Sequence, residues 1–347
     1  MTVTVTRCTT NALIQTLSNS QYQHWGYSEG GAMDEYAFMW ANRLLNNAID
    51  SAALEITLGQ LQLYFERDCY IAITGADCAA YKSSASQSGT QTVGNWQVSA
   101  MSAGETLTLK MPKQGLRTYI AFASGIRRVI TASISAQSTS TSSAKVNRDN
   151  TGNKDTRATD IDDLPSPMIE NSLASHVINR QPLVPNCKLI INQPSQTVVK
   201  RCVNRQYISN YQQVTDHDQT IDYVPSTLAK QQGKDFGLTF GQQVYVIDSA
   251  SNRMGYRLRG QALTINHQQR LSTPTSLGAI QLPADGQPIV LLKDRQTIGG
   301  YPVLGCVTRQ STWQLAQMRP GQAVRFQAVT AAHACEQLNQ LYQFFFS

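Results

Sequence analysis

"LEITLGQLQLYFERDCYIAITGAD", residues 54–77, is the stretch that decides the fold class. It contains two short runs, LQLYF and CYIAIT, that are rich in aliphatic, aromatic and β-branched residues, a composition typical of β-strands. Further runs of this kind occur throughout the chain: TVTVT, TLTLKM, TYIAFA, KLIIN, QVYVID, PIVLL and AVRFQAV. The sequence therefore predicts a mainly β protein.

The same stretch resembles residues 280–300, IQLPADGQPIVLLKDRQTIGG, in the other half of the chain. Two more pairs of segments keep the same order: HWGYSEGG (24–31) with RMGYRLRG (253–260), and MSAGETLTL (101–109) with MRPGQAVRF (318–326). Segments that recur in order at a long spacing indicate a duplicated unit. We therefore expect two related β-barrel-like domains, and a ligand site in the cleft between them, because such sites often form where domains meet.

A polar segment separates the two halves. Residues 133–165 are rich in Ser and Thr and have almost no aliphatic periodicity, which is typical of a linker or a long loop. We therefore place the first domain at residues 1–132 and the second at residues 166–347.

Two segments have a helical pattern. In AMDEYAFMWANRLLNN, the apolar side chains of Met33, Ala37, Trp40 and Leu44 fall on one helical face. AHACEQLNQLY, near the C-terminus, predicts a second and shorter helix. The final LYQFFFS either caps a barrel or meets a partner, and burial within the same chain is the favoured interpretation. A few short helices thus accompany the strands.

Composition argues against several classes of protein. The formal charge of +6 over 347 residues contains no block of Lys or Arg, unlike the clustered basic face of most nucleic-acid-binding proteins. The seven cysteines form no C-x-x-C pair and the five histidines no ligand-spaced cluster, so we expect reduced thiols and no metal. No signal peptide or membrane span is apparent, which predicts a soluble, cytoplasmic protein. Phosphate loops and dinucleotide-binding motifs are also missing.

The segment KDRQTIGGYP, which combines charged, amide and hydroxyl side chains with two glycines, directly follows the apolar run IVLL. A loop held by a buried strand presents side chains to a ligand, and the candidates there are Asp294, Arg295, Gln296, Thr297, Gly299, Gly300 and Tyr301. Arg295 suits a carboxylate or phosphate, and Asp294 could orient it or act as a general base. Gln296 and Thr297 could bind an amide or carbonyl group, while the glycines permit close backbone approach. The alternative is a structural ion pair between Asp294 and Arg295 at a glycine turn.

The corresponding place in the first half is ITGADCAA. Thr74, Gly75 and Asp77 follow a strand there, so Asp77 joins Asp294 and Arg295 as a catalytic candidate, with Thr74 and Gly75 as binding candidates. Cys78 has no histidine near it in sequence, and a small buried residue is its favoured role.

Five further residues are candidates for substrate binding. Asp34 begins a helix after two glycines, where it either marks an anion site or stabilises the helix end. Glu55 lies among apolar residues and, if buried, must be paired or protonated. Arg253, Tyr256 and Arg257 suit a carboxylated ligand, although surface arginines are more often only solvated.

Several of these segments together resemble a known family, and the resemblance runs with gaps from about residue 15 to 328. They are GGAMDEYAFMWANRLLNN, AALEITLGQLQLYF, IAITGAD, GLRTYIAFASGI, NRMGYRLRG, GAIQLPADGQPIVLLKDRQTIGGYPVLGCVT and LAQMRPGQAVRF. The chain is similar to the allophanate hydrolase subunit 2 family, also called the biotin-dependent carboxyltransferase family. That family includes the C subunit of 5-oxoprolinase and a region of urea amidolyase.

The resemblance implies two cyclophilin-like β-barrel domains and work inside a hetero-complex. Its first implication is an ATP-dependent 5-oxoprolinase that opens the 5-oxoproline lactam to glutamate, with ATP used by the complex. The implied partners are the 5-oxoprolinase subunits A and B, and the B homologue is the more direct of the two. The alternative is a carboxyltransferase component that uses biotin on a separate carrier chain. A third possibility is a regulatory binding protein that resembles kinase-inhibitor antagonists of the family and has no turnover.

The sequence departs from the family pattern mainly in the first half. LSNSQYQHWGY stands where members usually have D-x-G-R-x-G-Y, and GGAMD replaces S-G-A-M-D. After ASGI, the expanded polar segment replaces a compact G-S-x-S-T.

Overall fold

The structure is a computed structural model, and it describes residues 1–18, 20–85, 87–130, 182–192, 198–212, 219–265 and 272–346. The predicted linker, 133–165, lies outside the described residues. The chain is mainly β, as predicted.

Twelve strands of the described chain form two sheets in the first half. They are β1 (Thr2–Cys8), β2 (Ala12–Gln15), β3 (Ala53–Thr57), β4 (Leu61–Phe65), β5 (Cys69–Gly75), β6 (Tyr81–Ser84), β7 (Gln87–Thr92), β8 (Gln97–Met101), β9 (Glu105–Thr108), β10 (Arg117–Phe122), β11 (Ile126–Ile130) and β12 (Lys188–Ile191). One sheet has the order β11-β12-β1-β4-β9-β6-β7, and the other has the order β2-β3-β10-β5-β8. An apolar core fills the space between the two sheets.

Side-chain alternation gives the five-stranded sheet two different faces. Leu54, Ile73 and Ile120 point into the core between the sheets. On the opposite face, cross-strand pairing brings Glu55, Tyr119 and Thr74 into one row, since Glu55 pairs with Tyr119 and Tyr119 with Thr74. This second face therefore carries polar side chains at the level where the other half of the molecule packs.

Helix α1, Glu35–Leu44, covers part of that second face. Asp34 caps the helix, because its side chain accepts a hydrogen bond from the Ala37 amide. Ala37, Trp40 and Leu44 of the predicted apolar face are buried, and Phe38 and Met39 outside that face are buried as well.

Seven strands of the second half close into a barrel. The strands of this half are β13 (Gln219–Pro225), β14 (Tyr245–Ile247), β15 (Gly255–Arg259), β16 (Thr273–Pro274), β17 (Ala279–Gln281), β18 (Ile289–Leu291), β19 (Ile298–Gly299), β20 (Val303–Val307) and β21 (Ala323–Ala328). The barrel order is β13-β20-β17-β18-β15-β14-β21, and a parallel pairing of β13 with β21 closes it. Strands β16 and β19 form a separate two-stranded ribbon.

The remaining helical segments are a 3-10 helix (Ser20–Trp25), α2 (Arg205–Gln212), α3 (Thr227–Gln231), α4 (Lys234–Gln242), α5 (Arg309–Gln317) and α6 (Ala331–Phe346). Helix α6 was predicted, although it is longer than the segment AHACEQLNQLY. Phe345 near its end is buried against rings of the first half, Tyr36 and Trp40, so this end of the chain packs within the molecule. None of the helices in the described ranges is long and apolar enough to span a membrane.

The boundary predicted at residue 166 needs a correction, because β12 belongs to the first half. This strand pairs with both β1 and β11, and Leu189 lies in the first apolar core. Cys202 also bridges to Gln97 of the first half. The polar composition of 133–165 shows where the sequence loses its pattern of strands. The pairing of β12 places the end of the first domain further along the chain.

The segments proposed as repeats agree in part. Residues 54–77 contain β3 to β5 and residues 280–300 contain β17 to β19, while 101–109 and 318–326 contain β9 and part of β21. In the remaining pair, 253–260 includes β15, whereas 24–31 joins the end of the 3-10 helix to a loop. The loop therefore has no strand to match β15.

Candidate functional site at the junction of the two halves

The junction of the two halves contains two groups of buried charge. We call the first the Glu55 cluster, consisting of Glu55, Arg117, Arg253 and Asp294. The second is the Glu35 cluster, consisting of Glu29, Glu35, Lys293, Arg295 and Arg309. In both clusters, at least one carboxylate of the first half meets a cation of the second half.

Arg253 connects the Glu55 cluster across the junction. Its Nε and Nη2 donate to the two oxygens of Asp294 at 2.7 and 3.1 Å, a bidentate arrangement that fixes the guanidinium plane. Its Nη1 donates to Glu55 Oε1, and Nη2 also donates to the Gly31 carbonyl at 2.8 Å. One side chain from the second half thus binds a strand and a loop of the first.

Local structure explains why these groups meet. Strands β15 and β18 are antiparallel neighbours, and their ladder continues past β18 because the Asp294 amide donates to the Arg253 carbonyl at 2.9 Å. Gly31 has a φ of +93°, and a Cβ there would clash with the Leu17 carbonyl oxygen. Only glycine permits this loop to approach as closely as it does.

Glu55 accepts several hydrogen bonds from the first half as well. Its Oε2 accepts from the Met33 amide and the Tyr119 hydroxyl, both at 2.8 Å. Arg117 Nε lies 3.7 Å from Glu55 Oε1. Burial first, and then the charges of Glu55 and Asp34, raise the pKa of Tyr119 well above its usual value, so its phenol stays protonated and able to donate.

Gln317 of α5 ties the barrel to the first half beside this cluster. Its Oε1 accepts from the amides of Leu116 and Arg117, both at 3.0 Å. Its Nε2 donates to Asp34 at 2.7 Å and to the Arg117 carbonyl at 3.0 Å. Asp34 is therefore both a helix cap and a junction residue, and its carboxylate is fully buried.

Glu35 is the centre of the second cluster. Arg309 donates to it through Nε at 2.7 Å and Nη2 at 2.5 Å, Lys293 Nζ lies 2.7 Å away, and the Trp313 indole donates at 3.0 Å. Lys293 also donates to Glu29 at 3.2 Å, and Arg295 Nη1 donates to Glu29 at 3.0 Å. The cluster is nearly dry, since Lys293 and Glu35 are each 2% exposed.

The cations keep both carboxylates of this cluster ionised. Burial alone would raise the pKa of Glu29, but Lys293 and Arg295 together lower it below its usual value. Burial likewise opposes ionisation of Glu35, and Lys293 and Arg309 again bring the pKa below normal. Arg309 has a raised pKa, because Glu35 outweighs the effect of its burial.

The Glu35 cluster has one cation more than it has carboxylates. Among the described residues, Arg295 Nε is buried and has no hydrogen-bond partner, although Nη1 of the same side chain is used. Three cations against two carboxylates leave positive charge at the junction that a bound anion would offset.

The predicted ligand anchor Arg295 is thus 6% exposed and points into the junction. It does not pair with Asp294, whose partner is Arg253, so the alternative of an Asp294–Arg295 ion pair is wrong. The backbone turn that follows β18 directs these neighbouring side chains to different clusters. Tyr256 is buried and accepts from Arg117 Nη1 at 3.0 Å.

Four other candidates are either exposed away from the clusters or already held in contacts within the protein. Thr74 lies in the row of Glu55, but its hydroxyl donates to the Ala37 carbonyl at 2.6 Å. Gly75 has a φ of +84°, and a Cβ there would clash with the Arg117 carbonyl. Asp77 is exposed and accepts from the Ala79 amide in a local turn, and Arg257 is also exposed.

The rest of the KDRQTIGGYP candidates lie on the outer ribbon. Gly299 pairs with Thr273, and the Thr297 carbonyl accepts from the Thr275 amide at 2.9 Å. Gln296 is exposed, while Gly300 and Tyr301 line a surface pocket with α3. The segment therefore divides between the junction and the surface, and its binding roles stay predictions.

The cysteines and the residue types that bind metals were also considered as candidates in the sequence. Cys78 is buried, its Sγ lies 2.9 Å from Thr118 Oγ1, and burial raises its pKa to about 11, which fits a structural thiol. All seven cysteines are free, but Cys202 and Cys335 are exposed. Within the described ranges, no three His, Cys, Asp or Glu side chains are placed to hold a metal ion.

Sequence reasoning missed five junction residues: Arg117, Gln317, Glu29, Lys293 and Arg309. Arg117 directly precedes the run TYIAFA, whose residues are all buried, so a charged side chain there was a usable signal. Lys293 adjoins a fully apolar run in the same way. The partners of Gln317 and Arg309 lie more than two hundred residues away, and no local pattern indicates them.

Comparison with known proteins identifies relatives over most of the chain. One is the C subunit of the 5-oxoprolinase of Escherichia coli K12, 30% identical over 311 residues, 88% of this chain and 84% of that protein. Another is the urea amidolyase of Saccharomyces cerevisiae, 25% identical over 321 residues, 88% of this chain and 15% of that protein.

The crystal structure of Kluyveromyces lactis urea carboxylase has the same fold, with a TM-score of 0.75 and 19% identity, over 99% of this chain and 29% of that chain. The family profile described as carboxyltransferase domain, subdomain A and B, matches residues 25–155 and 168–328. The chain belongs to the carboxyltransferase domain family of subdomains A and B.

Proposed function

We propose that this chain is a component of a 5-oxoprolinase complex, in which it corresponds to the C subunit. The proposal depends on the similarity to the E. coli protein of that name. The match covers 84% of the length of that protein. The reaction is hydrolysis of the cyclic amide of 5-oxoproline to glutamate, and ATP hydrolysis by the complex drives it. Subunits A and B are the expected partners.

Within this chain, the junction supports a role in holding an anionic substrate or intermediate. Asp294 is the most exposed member of the Glu55 cluster, with 27% of its side chain accessible, so it is the member that a ligand reaches first. Arg253 lies directly behind it and is oriented by two hydrogen bonds. Asp294 would hold the guanidinium in place, and Arg253 would stabilise negative charge that develops on the opening amide.

Reconstitution tests the proposal. The chain is combined with its candidate partner subunits, and glutamate formed from 5-oxoproline and ATP is measured with and without this chain. We expect turnover only when all subunits and ATP are present. Turnover by this chain alone, or equal turnover when it is omitted, would contradict the proposal.

A variant pair then tests the site. Asp294→Asn should lower turnover at least tenfold while the complex still assembles, since it loses the charge that orients Arg253. Asp50→Asn, at an exposed position of the first half, is the matched control and should leave turnover unchanged. Normal turnover with Asp294→Asn would move the site elsewhere while leaving the proposed place in the complex intact.

A carboxyltransferase component is the second candidate function, and the urea amidolyase relative favours it. In that case a separate biotinylated carrier would deliver the carboxyl group. Carboxyl transfer from carboxybiotin, measured with the carrier and urea in place of 5-oxoproline and ATP, distinguishes the two functions.

A further inference from the structure

A cavity of about 530 Å³ lies between helix α5 and the C-terminal helix α6, away from the charged clusters. Tyr36 of α1 and Tyr207 of α2 complete its wall, so both halves contribute to it. This volume is within the usual range for small-molecule sites. The residues that wall the cavity on the α6 side follow the part of the chain that matches the family profile, which ends at residue 328.

The lining combines amides with aromatic rings. Five glutamines line the cavity, together with five aromatic residues and Leu341, and none of the described lining residues is charged. Burial raises the pKa of Tyr36 to about 12, so this phenol also stays neutral. A charged ligand group would lose its hydration here without gaining a counter-charge, which favours an uncharged ligand.

The rings on one side of the cavity are held in place. Tyr36 and Trp313 stack with ring centroids 6.2 Å apart and an interplanar angle of 27°. The Trp313 indole donates to Glu35, which fixes its orientation, and Phe345 meets Tyr36 edge-on at 5.9 Å. Fixed aromatic surfaces favour a flat ligand, because little side-chain entropy is lost on binding.

Two of the five glutamines already have partners in the protein, because Gln317 binds Asp34 and Gln337 Nε2 pairs with His333. The others leave hydrogen-bonding groups for a ligand. Gln314 Oε1 is buried without a hydrogen-bond partner among the described residues. A buried acceptor of this kind costs free energy until a donor reaches it. Gln340 of α6 lines the same cavity, and its amide supplies both donors and acceptors.

We propose that this cavity binds an uncharged planar heterocycle with N–H donors and ring or carbonyl acceptors, of the nucleobase class. The aromatic rings contact its faces, and the glutamine amides pair with its edge, with Gln314 Oε1 accepting from a ring N–H or amino group. This site goes beyond the proposed function, because it belongs to the isolated chain and requires no complex.

Calorimetric titration of the purified full chain tests the proposal. The probes are adenine, hypoxanthine, uracil and thymine, and indole is the control with a flat bicyclic shape but no acceptor edge. We expect saturable binding of at least one nucleobase at one site per chain, and at least tenfold weaker binding of indole. Absence of binding by all four nucleobases, or indole binding equally well, overturns the proposal.

Variants locate the binding. Leu341→Trp should fill the cavity and abolish binding, and Gln314→Met should weaken it about three- to tenfold by removing one acceptor. Gln261→Met, at an exposed position, is the matched control and should bind normally. Thermal melting establishes that each variant is folded. Unchanged affinity in folded Leu341→Trp and Gln314→Met would overturn the proposal, whichever nucleobase binds.

Discussion

The two charged clusters at the junction differ in their balance. The Glu55 cluster sets two carboxylates against two guanidinium groups, and Arg253 satisfies both carboxylates at once. The Glu35 cluster sets two carboxylates against three cations. Each cluster leaves one buried guanidinium Nε without a hydrogen-bond partner among the described residues, that of Arg117 in the first and that of Arg295 in the second. Both clusters join the same two halves and are buried except at Asp294 and Arg309, which are partly exposed.

The difference shows that charge pairing alone does not explain the junction. Desolvation can exceed the Coulombic gain of a buried ion pair, so a cluster is stable only if its hydrogen bonds are nearly complete. The Glu55 carboxylate meets that condition with help from the Met33 amide and the Tyr119 hydroxyl, although Arg117 Nε has no hydrogen-bond partner among the described residues. The Glu35 cluster already has a surplus cation, so loss of one of its carboxylates leaves more positive charge uncompensated, which makes it the more sensitive of the two.

Among the carboxylate variants, Glu35→Gln should have the largest effect on stability. It removes the carboxylate that Lys293 and Arg309 share and leaves both cations buried, which costs about 3–5 kcal/mol in the free energy of unfolding. Urea denaturation of the isolated chain measures the loss. Glu66→Gln is the control, since its pair with Lys188 is exposed and should contribute about 1 kcal/mol or less. Equal losses in the two variants would show that the Glu35 cluster contributes no more than a surface pair.

Glu55→Gln should cost less, about 2–3 kcal/mol, because several partners remain after the charge is lost. Asp294 still holds Arg253 through two hydrogen bonds, and a glutamine carbonyl can still accept from Met33 and Tyr119. Arg117 loses its ion pair but still donates to the Tyr256 hydroxyl and the Ala316 carbonyl. The same urea measurement applies. A loss larger than that of Glu35→Gln would reverse the proposed order of the clusters.

The pH dependence of stability should depend on the Glu35 cluster. Glu29 and Glu35 have pKa values below the usual 4.5 in the folded chain, so the unfolded chain binds protons more readily. Their contribution is therefore present above about pH 4.5 and is lost as the pH falls through the folded-state pKa values. Urea midpoints at pH 6, 4.5 and 3.5 should fall more steeply for the native chain than for Glu35→Gln. Parallel curves would show that these carboxylates do not set the acid stability.

Nine of the 21 strands in the described residues, and the helix α1, were predicted from the sequence, because their apolar periods are local. Helix α5 was missed, since RQSTWQLAQ is mostly polar and has a weak apolar period. Closure of the barrel depends on the pairing of β13 with β21, about one hundred residues apart, which no local pattern indicates. The assignment of β12 to the first half failed for the same reason.

The sequence indicated several residues of the candidate site, but it did not indicate which of them contact one another. Glu55, Arg253 and Asp294 were among the candidates, and the structure brings them together. Their functional roles stay predictions. Alternation along a strand predicts which face a side chain is on, but not what packs against that face. Sequence reasoning therefore paired the neighbours Asp294 and Arg295, whereas each finds its partner at a distance.

Arg295→Met should have the smallest effect, and its comparison with Arg253→Met tests the difference between the clusters directly. Methionine keeps much of the arginine's apolar bulk and removes both the surplus charge and the unpartnered Nε. Glu29 retains Lys293 at 3.2 Å, so the free energy of unfolding should change by about 1 kcal/mol or less. Arg253→Met instead deprives Glu55 and Asp294 of their shared partner and should cost about 3–5 kcal/mol. If Arg295→Met costs as much as Arg253→Met, the third cation is required for stability, and the Glu35 cluster has no surplus charge to offer an anion.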